Sequence, residues 1–245
     1  LNIGMALARF GLTPALLSAV GRDAEGDELI AACALRGLIT DHVYRSDDLP
    51  TDRYMAVEGS NGLIAAIADA GDKILRPLED GSLPVPYEGA VALDGNLTVE
   101  LLARMAQSPL LAKADLRVAP ASPGKALRLT PFLKAGRGTL YVNLEEAGLL
   151  CQASFDDSPS AARALLARGA RRAVVTDGGN PATVGQGDDI ITLTPPSVHV
   201  ARVTGAGDTF MAAHVAAELG GAVAQPALKA ALDAAALYVS GETKI

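Results

Sequence analysis

Short apolar runs alternate with helical segments along most of the chain. Four runs typical of buried strands cover residues 90–93, 116–119, 139–142 and 173–176, and stretches with helical periodicity separate them. Parallel strands need long crossover connections, which are usually helical. The alternation therefore predicts an α/β fold with a doubly wound, mainly parallel sheet flanked by helices.

The N-terminal part of the chain begins with helical periodicity. Apolar residues from Ile3 to Phe10, followed by Gly11, are typical of the last turns of a helix and its terminating glycine. A buried strand is predicted over residues 15–20, and a helix that reaches about Arg36 follows a polar loop. This part therefore supplies a first helix and one strand-loop-helix unit.

The C-terminal part is also mostly helical. Ser158 before Pro159 predicts an N-cap and the start of a helix. Short antiparallel strands are predicted over residues 182–199, and long helices over 205–219 and 226–239. These elements extend the α/β pattern to the end of the chain.

The segment around residues 40–68 departs from this alternation. Apolar residues between Tyr54 and Ile67 flank Gly59-Ser-Asn-Gly62, and its Asn-Gly dipeptide is a strong hairpin indicator. We interpret residues 40–68 as a small β-hairpin inserted into a core formed by residues 1–39 and 69–245.

Charge and hydropathy exclude several classes of partner. The chain carries 28 Asp and Glu residues against 21 Lys and Arg residues, a formal net charge of −7. It therefore lacks the general positive field that draws proteins to nucleic acids or anionic lipids. No uninterrupted apolar run has the roughly 18 residues that a membrane helix needs. We expect a soluble chain with neither nucleic-acid nor membrane partners.

Cysteines and histidines predict no metal centre. Cys33 and Cys151 form no Cys-x-x-Cys pair, so we interpret them as buried thiols of a cytoplasmic protein. His42, His199 and His214 lack the spacing that would place two metal ligands on one face. We expect His214 to pack in the interior or lie at the surface.

The segment Gly205-Ala206-Gly207-Asp208 joins a loop to the start of a long helix. Unpaired amides of a first helical turn, and the positive end of the helix dipole, suit an anion such as a phosphoryl group in transfer. Asp208 beside them is a candidate general base. The structural alternative is that both glycines only form a turn and Asp208 only complements the helix dipole.

Two common nucleotide-binding motifs are missing from the sequence. The chain has no G-x-x-x-x-G-K-[ST] P-loop and no G-x-G-x-x-G dinucleotide motif. A nicotinamide-dependent oxidoreductase on a doubly wound sheet is therefore disfavoured. Phosphate binding by this chain needs a different geometry.

At this point the sequence resembles a known family. The segment Thr204–Phe210 resembles the second signature of the PfkB, or ribokinase-like, sugar and nucleoside kinases. Asn2–Gly11 is similar to the second half of the family's first signature, and Gly21–Gly26 resembles its Gly-x-Asp-x-x-Gly loop. Thr51–Ala56 resembles the segment that leads into the family's β lid. The motifs follow the family's order along nearly the whole chain.

Two further motifs lie in the second half of the chain. Asn143–Glu146 matches the family's Asn-x-x-Glu motif, and Thr176–Gly178 matches a strand-end Thr-x-Gly that contacts the nucleotide. A structural alternative exists for each, because Asn143 is a suitable helix cap, Glu146 suits a first turn and Gly178 suits a tight turn.

The resemblance implies a ribokinase-like fold and an ATP-dependent kinase that phosphorylates a hydroxymethyl group of a sugar or nucleoside. ATP and Mg²⁺ would be its cofactors, and a homodimer through the lid is implied. The resemblance implies Asp208 as general base and an anion hole formed by Gly205, Ala206 and Gly207. It implies nucleotide contacts by Asn143, Glu146, Thr176, Gly178 and Thr204, with Asn143 and Glu146 reaching Mg²⁺ largely through water. The implied acceptor contacts are Asn2, Asp23, Thr51 and Asp208.

Finer similarities point to one branch of the family. Ala92–Leu97, Ala121–Lys125 and Val203–Gly207 look like segments of pseudouridine kinases. Ribose-like sugars, fructose-type sugars and nucleosides all stay open as acceptors. A catalytically impaired member of the same fold that senses a sugar or nucleotide is the alternative function.

Two features depart from the family pattern. The chain begins at Leu1, after the place where the resemblance implies a first strand, a paired glycine hinge and an acidic residue that contacts the substrate. Arg202 stands six residues before Asp208, where many members carry an aspartate that helps to hold a monovalent cation. A guanidinium there argues against that cation, and we hypothesise that Arg202 replaces it electrostatically. The structural alternative is a solvated side chain.

Overall fold

The computed structural model describes residues 1–51 and 75–242, together with the backbone of residues 58–59 and 62–63. Its helices alternate with strands through most of the chain, as the sequence predicts. The α-helices in these parts of the chain are α1 (Asn2–Arg9), α2 (Ala24–Leu35), α3 (Arg76–Glu79), α4 (Val99–Gln107), α5 (Thr130–Ala135), α6 (Leu144–Cys151), α7 (Ser158–Ala167), α8 (Ala206–Leu219) and α9 (Ala224–Ser240).

The strands form one large sheet and two short pairs. They are β1 (Ala19–Gly21), β2 (Tyr44–Ser46), β3 (Glu58–Gly59), β4 (Gly62–Leu63), β5 (Ala90–Asp94), β6 (Asp115–Ala119), β7 (Thr139–Asn143), β8 (Arg172–Asp177), β9 (Asn180–Gln186) and β10 (Asp189–Leu193).

The central sheet is six-stranded, in the order β10-β9-β8-β7-β6-β5. Strands β5 to β8 are parallel, and β9 and β10 extend the sheet antiparallel. Strands β1 and β2 form a separate parallel pair. The predicted mainly parallel α/β sheet is therefore confirmed. The carboxyl ends of β5 to β8 lie along one edge of it, which we call the carboxyl edge; the opposite edge is the amino edge.

Helices cover both faces of the sheet. Alternate residues of a strand point to opposite faces, so Leu140 and Val142 join one core cluster whereas Tyr141 joins the other. The first cluster includes residues of α4 to α7, and the second includes residues of α1, α8 and α9. Cys33 and Cys151 are buried free thiols, as predicted. No helix within the described residues is long and apolar enough to cross a membrane.

Two predicted strands are shorter in the structure. The strand predicted over residues 15–20 is reduced to β1 and an isolated bridge between Ala15 and Ile39. The antiparallel strands predicted over 182–199 end at Leu193, before Pro195 and Pro196. Proline has no amide hydrogen to donate to a neighbouring strand, which accounts for this end.

Two helix starts also differ from the prediction. Asp157 rather than Ser158 caps α7, because its carboxylate accepts a hydrogen bond from the amide of Ser160 at 2.8 Å. The Ser158 hydroxyl instead donates to the carbonyl of Pro181 at 2.6 Å. Helix α9 begins at Ala224, two residues before Pro226, because a proline fits any position of a first turn.

The predicted inserted hairpin lies mostly outside the described residues. Within it, β3 and β4 pair antiparallel, with Glu58 opposite Leu63 and Gly59 opposite Gly62. This pairing flanks the predicted turn. The division into a core of residues 1–39 and 69–245 and a lid of residues 40–68 stays a prediction.

Candidate functional site

A left-handed glycine joins the loop after β10 to α8. Gly205 is the N-cap of α8 and has a φ of 89°. A Cβ atom there would lie 2.6 Å from the hydroxyl of Tyr238, and that hydroxyl donates to the carbonyl of Thr204 at 2.9 Å. Because the backbone conformation and the close approach both exclude a side chain, only glycine fits this junction.

The amides that follow Gly205 are not equivalent. The amide of Ala206 donates to the carbonyl of Val203 at 3.0 Å, so it is already paired. Gly207 and Asp208 lie in the first turn, where the helix itself offers no acceptor for an amide. A Cβ atom on Gly207 would meet nothing within 4 Å. The open side of the 14-residue helix therefore presents the amides of Gly207 and Asp208 and the positive end of its dipole.

Asp208 is half-buried in this turn. Burial raises its pKa, the nearby charge of Asp94 raises it further, and a hydrogen bond from the side chain of Asn2 opposes both effects. Asn2 reaches Asp208 because α1 and α8 pack together in the second core cluster. The structure thus brings together two of the residues predicted from the sequence.

Asp94 joins the candidate site, although it was not among the residues predicted from the sequence. It ends β5 at the carboxyl edge and accepts a hydrogen bond from the amide of Asn96 at 2.7 Å. One guanidinium nitrogen of Arg128 binds the carbonyls of Gly95, Asn96 and Leu97 at 3.1 to 3.2 Å, so the loop is held firmly. Its position at the end of a predicted buried strand could have identified Asp94, because ligands of open α/β sheets generally bind at the carboxyl ends of the strands.

Asn143 and Glu146 form a capping box at the start of α6. The amide of Glu146 donates to Asn143 Oδ1, and the amide of Asn143 donates to Glu146 Oε2, both at 2.8 Å. Burial raises the pKa of Glu146, and the hydrogen bond from Asn143 opposes this effect. Helix capping by Asn143 and the first-turn position of Glu146 therefore account for their local geometry.

Thr176 and Gly178 lie beside that capping box. Thr176 is the register partner of Asn143 across β7 and β8, so both side chains stand at the carboxyl edge. Gly178, with a φ of 54°, lies in the tight turn that joins β8 to β9. The turn accounts for this glycine, and a Cβ atom there would meet nothing within 4 Å.

Asp23 and Thr51 bind each other instead of Asp208. The Asp23 carboxylate accepts hydrogen bonds from the Thr51 hydroxyl at 2.5 Å, the Thr51 amide at 2.7 Å and the Gly26 amide at 2.8 Å. These bonds, led by that of the Thr51 hydroxyl, lower the pKa of Asp23 to about 2. Asp23 also caps α2. Neither residue has a hydrogen bond or ion pair with Asn2 or Asp208, all four being described residues.

Arg202 lies against the C-terminal turn of α9. Its guanidinium carbon is 3.9 Å from the ring centroid of Tyr238, and its Nε donates to the Tyr238 carbonyl at 2.8 Å. The side chain is exposed yet stacked on an aromatic face. Tyr238 thus contacts both Arg202 and the carbonyl of Thr204 in the loop before α8.

A family model matches nearly the whole chain. The model "pfkB family carbohydrate kinase" matches residues 1–243. The chain belongs to this pfkB family. The family match supports a sugar or nucleoside kinase as the broad class of this protein. Among proteins with curated functions, none matches the chain.

Solved structures of a carbohydrate kinase, an adenosine kinase and a ribokinase share the fold. A carbohydrate kinase from Agrobacterium tumefaciens is 24% identical with a TM-score of 0.78, and the match covers 100% of this chain and 79% of that one. An adenosine kinase from Trypanosoma brucei brucei is 15% identical with a TM-score of 0.80, covering 98% and 80%. A ribokinase from Thermotoga maritima is 18% identical with a TM-score of 0.77, covering 98% and 79%. The ribokinase-like fold is therefore shown.

The donor set of this pfkB chain fits a weakly held Mg²⁺ ion. Among the described residues, no group of three His, Cys, Asp or Glu side chains could hold a metal ion. The capping box engages Asn143 Oδ1 and Glu146 Oε2 and leaves Glu146 Oε1 without a hydrogen bond from a described residue. Mg²⁺ keeps several waters and prefers phosphate oxygens, so contact through water at Glu146 Oε1 is compatible with this geometry.

A buried ionic network lies at the amino edge, far from Asp208 along α8. Glu218, in the last turn of α8, accepts hydrogen bonds from Arg117 and, at 2.5 and 3.0 Å, from Arg172. Arg117 also donates to the Tyr141 hydroxyl at 3.0 Å, and His214 Nδ1 lies 2.9 Å from that hydroxyl. His214 is fully buried, so it packs in the interior. The network fastens the C-terminal end of α8 to the sheet.

Proposed function

We propose that this protein transfers the γ-phosphoryl group of ATP to a hydroxymethyl group of a sugar or nucleoside, with Asp208 as general base. The observation that carries the proposal is the first turn of α8. There a half-buried carboxylate, oriented by Asn2, stands beside the amides of Gly207 and Asp208 on a side open to ligands. The proposal therefore assigns a base and an anion site to one helical turn.

Asp208 accepts the proton of the acceptor hydroxyl in this proposal. Burial and the charge of Asp94 raise its pKa above the ordinary value of aspartate, which makes the carboxylate a stronger base. Asn2 holds the carboxylate in one orientation and, with Asp94, supplies polar groups for the acceptor. Positioning of this kind contributes much of the rate in phosphoryl transfer.

The amides of Gly207 and Asp208 stabilise negative charge on the transferring oxygens. The dipole of α8 adds to this effect, and both are in place before the reaction begins. The amide of Ala206 is already paired with the carbonyl of Val203, so the proposal gives Ala206 only the role of linking Gly205 to these two amides. Gly205 permits the turn that aims the amides of Gly207 and Asp208.

The nucleotide side of the site is proposed to follow the carboxyl edge. Thr176, Gly178 and Thr204 would contact ATP, and Asn143 and Glu146 would hold Mg²⁺ through water. Mg²⁺ supplies charge neutralisation on the phosphate oxygens. Because Thr176 lies beside Asn143 in register, these contacts fall on neighbouring strand ends.

The acceptor side is proposed to include Asn2, Asp23 and Thr51, with Asp208. Asp23 and Thr51 would act by shaping the segment that leads into the lid, since their polar atoms already bind each other. We propose residues 40–68 as a lid that excludes water and pairs between two subunits. A pseudouridine-like nucleoside is the first acceptor to test.

A panel of acceptors tests the proposed function. We expect ADP release from Mg-ATP to depend on one acceptor among pseudouridine, other nucleosides, ribose, fructose and 2-keto-3-deoxygluconate. ATP binding without turnover on any acceptor would contradict the kinase proposal and favour a sensing protein.

Two glycines give a matched test of the anion site. We expect Gly205→Ala to lower the free energy of unfolding by about 1–3 kcal/mol, because it forces a left-handed φ and a contact with Tyr238. Gly207→Ala should leave stability nearly unchanged and lower turnover about 10- to 100-fold, because its methyl group enters the open site. Urea titrations and steady-state kinetics measure both. Full turnover of Gly207→Ala would exclude these amides as the anion site.

The positive charge of Arg202 leads to a prediction about how turnover depends on monovalent cations. We expect turnover to be the same in potassium chloride and in choline chloride at equal ionic strength, because the guanidinium takes the place of the ion. Arg202 stacks on the ring of Tyr238, whose hydroxyl binds the carbonyl of Thr204. These contacts hold the positive charge of Arg202 near Thr204. Strong activation by potassium would overturn this hypothesis.

A further inference from the structure

The amino edge of the central sheet borders a cavity of about 350 Å³. The starts of β6, β7 and β8 line it, on the edge opposite Asp94 and Asp208. The cavity volume lies at the lower end of the range of about 300–1,000 Å³ that is typical of small-molecule sites. Four basic side chains contribute to its wall, namely Lys113, Arg137, Arg171 and Arg172.

Some of these charges are balanced by carboxylates. Lys113 Nζ lies 2.6 Å from Glu88 Oε1, and Arg172 is paired with Glu218. Asp115, the acidic residue of the wall, is paired with Arg117 at 2.5 Å.

Arg137 and Arg171 keep an uncompensated charge. Neither has a carboxylate partner among the described residues. Arg137 donates only to the carbonyls of Ala106 and Leu111, which carry no formal charge. The cavity therefore has an excess of two positive charges in a chain whose formal net charge is −7. Local charge of this sign favours an anionic occupant.

Two of the four basic groups, those of Arg137 and Arg172, are held in place before any ligand arrives. Arg137 Nη1 and Nη2 bind the carbonyls of Ala106 at 3.1 Å and Leu111 at 2.5 Å. A guanidinium has five donor hydrogens, so several stay available to a ligand. Arg172 is fixed by two hydrogen bonds to Glu218. Because side chains that are already ordered lose little entropy on binding, this arrangement favours affinity.

We propose that this cavity is a second anion site that binds the phosphate group of a small dianion, either inorganic phosphate or a phosphate monoester. Two uncompensated arginines match the charge of a dianion, and planar guanidinium groups match its oxygens. The site is separate from the first turn of α8 and does not depend on the proposed kinase activity.

Nuclear magnetic resonance can locate phosphate binding at either site. Inorganic phosphate and glycerol 3-phosphate are titrated at constant ionic strength, and the amide signals of Gly138 and Thr139 report the cavity while that of Gly207 reports the α8 site. We expect saturable shifts at Gly138 and Thr139. Equal dissociation constants for the two probes would indicate that phosphate alone is recognised, whereas tighter binding of glycerol 3-phosphate would indicate an ester.

Charge variants connect the shifts to the proposed residues. Arg171→Glu should raise the dissociation constant at Gly138 and Thr139 about tenfold or more, because it replaces attraction by repulsion, and should leave the Gly207 response unchanged. Arg171→Gln, which only removes the charge, should give a smaller increase. Arg163→Glu, an exposed position of α7 outside the cavity wall, is the control with the same change of net charge. Shifts that do not saturate, or equal effects of Arg171→Glu and Arg163→Glu, would overturn the proposal.

Discussion

Replacing Asp208 by asparagine should lower turnover about 10²- to 10⁴-fold, the usual loss when a general base is removed. Asparagine has the same size and can still accept a hydrogen bond from Asn2, but it cannot take a proton at neutral pH. The fold and the affinity for ATP should be retained. Steady-state kinetics with the identified acceptor, calorimetric ATP titration and a urea titration measure the three properties.

A surface aspartate provides the control for this substitution. Asp233 lies exposed on α9, where it pairs with Lys229 at 2.6 Å, so Asp233→Asn should leave turnover unchanged. Unchanged turnover of Asp208→Asn would remove Asp208 from the mechanism.

The pH profile separates the role of Asp94 from that of Asp208. A general base must be ionised to accept a proton, so if Asp208 has the proposed role, kcat/KM should fall as the pH drops through its raised pKa. Removing the neighbouring charge by Asp94→Asn should lower the pKa of Asp208 and move the acidic limb of the profile to lower pH. An acidic limb that does not move would show that the two carboxylates are not coupled.

Replacing Glu218 by glutamine should lower the free energy of unfolding by about 3–5 kcal/mol, because two largely buried guanidinium groups lose their shared charge. The side chain of Arg117 is 7% exposed and that of Glu218 is 13% exposed. Burial alone would raise the pKa of Glu218, but hydrogen bonds from Arg172 and Arg117 outweigh it and lower the pKa to about 2. A urea titration at neutral pH measures the loss.

An exposed ion pair is the matched control for Glu218. Arg104 and Glu79 are each 49% exposed and lie 3.2 Å apart, so Glu79→Gln should cost at most about 1 kcal/mol. The pKa of Glu218 is lowered in the folded state, so its stabilisation should be present above about pH 4.5 and be lost as the pH falls towards 2. Equal effects of the two substitutions would show that the buried network does not stabilise the fold.

The sequence predicted those features that depend on residues close together in the chain. The strands β5 to β8 and the long helix α8 follow from local hydrophobic periodicity, and the loop at Gly205 follows from a local glycine pattern. The capping box of Asn143 and Glu146 was recognisable because its two members are three residues apart. Short strands were less predictable. Strand β1 is shorter than the strand predicted over residues 15–20, because its extent depends on pairing with β2 and not on its own composition.

Only the tertiary structure decided which distant side chains meet. Asp94 lies near Asp208 because parallel strands end at one edge and α8 begins there, although the two residues are 114 positions apart in the chain. The same holds for the pairing of Asp23 with Thr51 and for the ion network around Glu218. Periodicity specifies which face of an element is buried, but the polar partner of a side chain depends on packing between elements that are remote in sequence. The family and the helix that carries the proposed base could therefore be predicted from the sequence, whereas the electrostatic surroundings of Asp208 could not.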